Sequence, residues 1–120
     1  MGIAAGRLRD RVRIEVPDQQ PNGQGGRRPT PGTSGWKELA TVWAEVIPLR
    51  GDEAIRNNVE RSVQLWRVTI RTRRDIQTAH RLVWPKHDIV MDIKSAAPDA
   101  QHADALVMTC ESGVTGGTRR

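Results

Sequence analysis

Phenylalanine and tyrosine are absent from the 120 residues, and four tryptophans are the only aromatic residues. Platforms that stack single-stranded bases rely on more exposed rings than that. Cys110 is the only cysteine, which excludes an internal disulfide framework and a cysteine-built zinc site. Lysine is scarce, occurring only at Lys37, Lys86 and Lys94. No apolar run approaches the ~18 residues a membrane helix needs. The opening MGIAAGRLRDR lacks an apolar h-region, so no secretory signal is expected.

What is present is arginine. The formal net charge is +5 and the sequence pI about 10.6, a balance that favours contact with polyanions. GC-rich coding would enrich arginine equally well. Hydrophobic residues make up 37% and mean hydropathy is -0.58. That is enough for one domain with one modest core.

Strand patterns dominate. Arg11–Val16 alternates, with Val12, Ile14 and Val16 on one face and Arg11, Arg13 and Glu15 on the other, the period of a half-buried strand. Leu39–Leu49 carries Val42, Ala44 and Val46 on one face and Trp43, Glu45 and Ile47 on the other. Both faces are partly apolar, which predicts a central strand ending at Pro48. Along Leu65–Thr72, Trp66, Val68 and Ile70 should point inward and Arg67, Thr69 and Arg71 outward. Arg81–Trp84 and Ile89–Ser95, separated by Pro85-Lys86-His87-Asp88, read as a hairpin. The polar stretch 96–104 reads as a connecting loop. Ala105–Glu111 then places Leu106, Met108 and Cys110 on one face. The expected core is Val12, Ile14, Val42, Trp43, Val46, Trp66, Val68, Ile70, Ile93, Leu106 and Met108.

One helix is expected over Gly51–Val63, where Ile55, Val59 and Val63 recur at four-residue steps and Gly51 or Asp52 can cap the start. Six strands and one helix predict an all-β fold, a small antiparallel barrel or sandwich spanning residues 1–111. Two segments fall outside the packed part. Pro17–Gly35 contains five glycines and four prolines without apolar periodicity. It is expected as a flexible loop, mobile in the free protein. Residues 112–120 are expected as a flexible tail.

Catalytic patterns are missing. Gly23-Gln24-Gly25-Gly26-Arg27-Arg28 is followed by Pro29 and Pro31 rather than by a helix, so it is not a phosphate-cradling loop. His80, His87 and His102 lie in three segments without ligand spacing, and no metal or other cofactor is expected. No G-x-S-x-G elbow is present, and Cys110 alternates with core residues. No enzymatic activity is expected. Arg67, Arg71, Arg73 and Arg74 are candidate phosphate contacts. The same row is also what a solvated sheet face presents to discourage edge pairing.

The order of motifs resembles that of a known family. Gly6-Arg7-Leu8-Arg9-Asp10-Arg11-Val12 is similar to the "GRLRxRV" opening of phage head–tail joining proteins, the head-closure or stopper family. Trp36 and the run Ala40-Thr41-Val42-Trp43-Ala44-Glu45-Val46-Ile47-Pro48-Leu49, with Gly51 and Glu53, resemble its "W…ATVWAEVxPLxGxE" stretch. Trp66–Arg71 resembles its "HRVTIRY"-type strand, and Arg81–Ser95 its hairpin, which here turns on Lys86-His87-Asp88 rather than Gly-Arg. The resemblance covers about residues 5 to 111.

It implies a small barrel with a helix and a long loop, located at the virion neck and in host cytoplasm before assembly. Such a protein forms a ring with other copies of itself beneath the portal–adaptor complex. The ring retains packaged double-stranded DNA in its channel and docks the tail or a tail-terminator protein. On this reading Gly23, Gly25, Gly26, Arg27 and Arg28 are candidates for the loop that meets the channel or a partner. A free-standing nucleic-acid-binding barrel that uses the arginine face is the competing expectation.

Overall fold

The computed structural model of the chain describes residues 5–49 and 63–113. The helix expected over Gly51–Val63 lies outside the described residues except for Val63, which opens a strand. So does the expected tail, except for Ser112 and Gly113, which close one.

A short 3-10 turn, Ala5–Arg7, precedes the strands. These are β1 (Asp10–Pro17), β2 (Gln19–Pro21), β3 (Arg27–Pro29), β4 (Trp36–Leu49), β5 (Val63–Arg71), β6 (Arg81–Trp84), β7 (Ile89–Pro98) and β8 (Ala105–Gly113). Six of them close an antiparallel barrel in the order β1-β4-β5-β8-β7-β6, and β6 returns to pair with β1. β2 and β3 form a separate two-stranded ribbon.

The all-β expectation is met, and alternation explains why. Residues paired directly across an antiparallel ladder share a face. The pairs Val12↔Val42, Val46↔Val68, Val68↔Met108, Ile70↔Leu106 and Leu82↔Met91 therefore stack apolar side chains around one interior. Val12, Ile14, Val68, Ile70, Leu82, Met91, Ile93, Leu106, Met108 and Cys110 are buried there, with Val42, Val46 and Trp66 packed against them. The Trp66 ring meets the Trp84 ring edge-on at 5.8 Å and donates its indole N–H to Ser112 Oγ at 2.7 Å. β4 is long because it serves two neighbours. Its first half pairs with β1 and its second with β5.

Two expectations need correction. Trp43 is not a core residue, being 52% exposed. Val42 and Ala44 take the two inward positions on either side of it, so the pleat turns the indole outward. The loop expected from Ala96 starts later, because β7 continues through Pro98. A bulge at Lys94 lets the ladder to β8 carry on, from Ile93↔Cys110 to Ser95↔Thr109. Within Pro17–Gly35, expected as a flexible loop, the chain forms the β2–β3 ribbon.

Candidate partner-binding groove and arm

The β1–β4 connection is built by hydrogen bonds rather than by apolar packing. At its tip, Asn22 Oδ1 accepts the N–H groups of Gln24 at 2.8 Å and Gly26 at 3.0 Å. Gly23 and Gly25 take φ values of 81° and 84°, which a side chain would strain. Arg27 and Arg28 follow on β3, both exposed, and Arg27 donates to the Gln19 carbonyl at 3.1 Å. Lower down, Thr30 N–H donates to the Asp18 carbonyl at 2.8 Å and Thr30 Oγ1 to Asp18 Oδ1 at 3.0 Å. The five candidate residues from Gly23 to Arg28 thus sit together at the outer end of a projecting arm.

A buried ionic cluster anchors the foot of that arm. Glu15 is 8% exposed and accepts from Arg13 Nε and Arg81 Nε, each at 2.8 Å. The Arg81 guanidinium also covers the Trp36 ring. Since Trp36 opens β4 directly across from Pro17, this cluster ties β6 to the base of the arm.

Of the four candidate arginines, Arg67 and Arg71 share the outer face of β5, and Arg73 and Arg74 follow its end. Arg67 is on the outer wall opposite Ile47 and Thr109, and four residues of strand put it roughly 13 Å from Arg71. Arg74 is exposed beyond the strand end. Arg71 and Arg73 instead line a cleft of about 350 Å³ together with Leu8, Arg11, Thr41, Val42, Trp43 and Thr72. Ladder parity produces this grouping. Arg11 and Trp43 are paired across β1 and β4. Arg71 follows Ile70, which pairs with Ala44, so it flanks Trp43 from the next strand. The Arg11 guanidinium lies 4.7 Å from the centre of the Trp43 ring. Leu8 is buried against Ala105 at the cleft's edge.

Two of the three guanidinium groups have acids of their own. Arg71 Nη1 lies 3.1 Å from Asp104 Oδ2. Arg73 holds Asp75 in a two-point fork at 3.0 and 2.7 Å, which lowers the Asp75 pKa and raises that of Arg73. Arg11 has no carboxylate at ion-pair distance among the described residues. A second cleft, about 220 Å³, opens on its other side between Arg9, Asp10, Trp84, Pro85 and Lys86. The sequence reading missed Arg11 and misplaced Trp43. The alternation that put Val12 and Val42 inward already contained both positions.

None of the histidines lines either cleft. His80 is buried, and its Nδ1 accepts the Gln77 N–H at 3.2 Å. Desolvation holds its pKa below the ordinary histidine value, against the pull of Asp75. Among the described residues no three metal-ligating side chains converge.

A family model described as "Phage head completion protein" matches residues 3–113 of this chain. The chain belongs to that family. Phage head completion proteins are structural proteins of the virion, and this chain is accordingly a head–tail structural protein that assembles with other phage proteins. A solution structure of protein SF1141 from Shigella flexneri 2a is 30% identical. The match covers 93% of this chain and 98% of that one, with a TM-score of 0.71. A chain from the virion of a native gene transfer agent particle shares the fold at 19% identity. There the coverage is 91% and 98% and the TM-score 0.68. No curated protein matches.

Proposed function

We propose that this head completion protein is the head-closure, or stopper, subunit. Copies of it form a ring beneath the portal–adaptor complex, keep packaged double-stranded DNA in the head, and present the surface on which the tail or its terminator protein docks. The observation that carries this reading is the family match over the whole barrel. The likeness of fold to a gene transfer agent virion chain supports it. The closed barrel with a projecting basic arm suits it too. The barrel supplies a rigid body, and Arg27 and Arg28 at the arm's end are exposed where a channel or a neighbour can be reached. Ring contacts of this kind are weak singly and become effective when a platform holds neighbours at high local concentration. The pure protein should therefore be monomeric at micromolar concentration.

The competing expectation, a free-standing nucleic-acid-binding barrel, is disfavoured by the state of its arginines. Arg71 and Arg73 are each already paired with a carboxylate, and Arg67 is a separate site on the wall. Particles from a strain lacking the protein should package DNA, lose it and fail to take tails, as seen by electron microscopy and nuclease protection. Tailed particles that retain DNA would overturn the assignment.

A further inference from the structure

We propose that the Arg11–Trp43–Arg71 groove is a docking site for an extended segment of a partner protein. That segment presents a carboxylate beside an apolar side chain. The inference deepens the head-closure reading and rests on it for the partner's identity as a virion component, but the groove's chemistry stands by itself.

The indole of Trp43 is the most exposed large apolar group among the described residues. It is held in place by Arg11 on one side, in a cross-strand pair, with Arg71 on the next strand. An exposed aromatic ring flanked by cations on the two neighbouring strands gives little to barrel stability. It suits a protein interface, where tryptophan and arginine are the favoured anchors. The floor of the cleft is apolar, from Leu8 and Val42, and its rim is guanidinium. An occupant must therefore be amphipathic.

Charge decides the class. The groove has three arginines, but Asp104 and Asp75 each engage one of them, leaving Arg11 as the guanidinium with donors to spare. One unsatisfied arginine suits one carboxylate, which it can grip in a two-point fork. A duplex backbone asks for a run of unengaged cations along the groove, and the flanking aspartates oppose that. The chain's own arm is a poor occupant, because its exposed tip residues Arg27 and Arg28 are themselves basic.

The test is titration of the full chain, labelled with nitrogen-15, against a blocked peptide of alternating Leu and Glu. Parallel titrations use the same peptide with Gln for Glu and a short DNA duplex. The Leu-Glu peptide should move the Trp43 indole N–H and Arg11 Nε–H signals while those of Trp36, Trp66 and Trp84 stay still. Arg11→Gln should weaken binding about tenfold or more, the loss of a charge-assisted contact. Trp43→Ala should do likewise, with the three remaining indole signals reporting an intact fold. No movement of the Trp43 and Arg11 signals would overturn the proposal. Equal binding of the Gln peptide, or movement with the duplex alone, would also overturn it. Failure here together with leaking, tailless deletion particles would remove the groove and leave head closure standing. Groove binding with DNA-retaining, tailed deletion particles would do the reverse.

Discussion

The Arg81 guanidinium lies 4.3 Å from the centre of the Trp36 ring while its Nε donates to Glu15 at 2.8 Å. One side chain thus joins three segments that are distant in sequence, β1, the start of β4 and β6. Glu15 is nearly buried and depends on this contact for its desolvated charge. Arg81→Ala should destabilise the barrel by about 1.5–3 kcal/mol, the range for a hydrogen bond to a charged group. Arg81→Lys should recover only part of that, having no planar fork to stack on the ring. Urea denaturation of the two variants checks both statements.

Trp43→Ala should change stability by no more than about 1 kcal/mol, the scale of an exposed cation–π contact. Ile70→Ala, one ladder step away but inside the barrel and fully buried, should cost about 2–5 kcal/mol. Melting temperatures of the pair separate an outward tryptophan from an inward one. A large loss at Trp43 would contradict the register of β4.

His80 makes stability depend on pH. Its folded pKa is depressed by burial and its Nδ1 accepts a hydrogen bond, so the folded state holds the neutral ring. The unfolded chain takes up a proton near pH 6.5. Its contribution is therefore fully present above that value and declines as the pH falls from there toward the lower folded pKa. Melting curves should show Tm dropping over that window. In His80→Gln the drop should be smaller.

Cys110 is fully buried, and desolvation, with Asp92 adding to it, pushes its thiol up to about 12. Thiolate is the reactive form, so a thiol reagent should leave the native protein unmodified at neutral pH. The thiol should react promptly once the chain is unfolded in denaturant. Prompt labelling of the native protein would show that the barrel opens between β8 and its neighbours.

Period-two alternation carried most of the barrel, because Val12 and Ile14 on β1, Trp66, Val68 and Ile70 on β5, and Leu106, Met108 and Cys110 on β8 are apolar and packed inside, with residues such as Arg13, Arg67, Thr69 and Thr109 between them. It failed where the chain departs from that period. Leu39 has no partner on β1, since Ile14 pairs with Ala40 and Glu15 with Glu38. Lys94 is skipped in the same way on β7. Bulges of this kind leave no apolar signature, which is why the end of β7 read as loop. The ribbon of the arm was hidden for a different reason. Its strands are three residues each and are held by backbone bonds and one asparagine, so no side-chain pattern marks them. The groove was half legible. Arg71 and Arg73 stood out as charge, but their company depends on which strands lie side by side, and Trp43 looked like core because both faces of its strand are partly apolar.

The last of the described strands, β8, ends up in the middle of the wall, between β5 and β7, and the first, β1, pairs with β6 as well as β4. Neither β5 nor β7 has its second neighbour until residues 105–113 are available. A chain that stops short of β8 therefore exposes two long unpaired edges at once, and residues 105–113 seal both. Closure of the barrel consequently waits for β8, and pairings so distant in sequence form slowly. Until that closure the edges of β5 and β7 are open to other strands and to proteases; the closed barrel leaves neither unpaired.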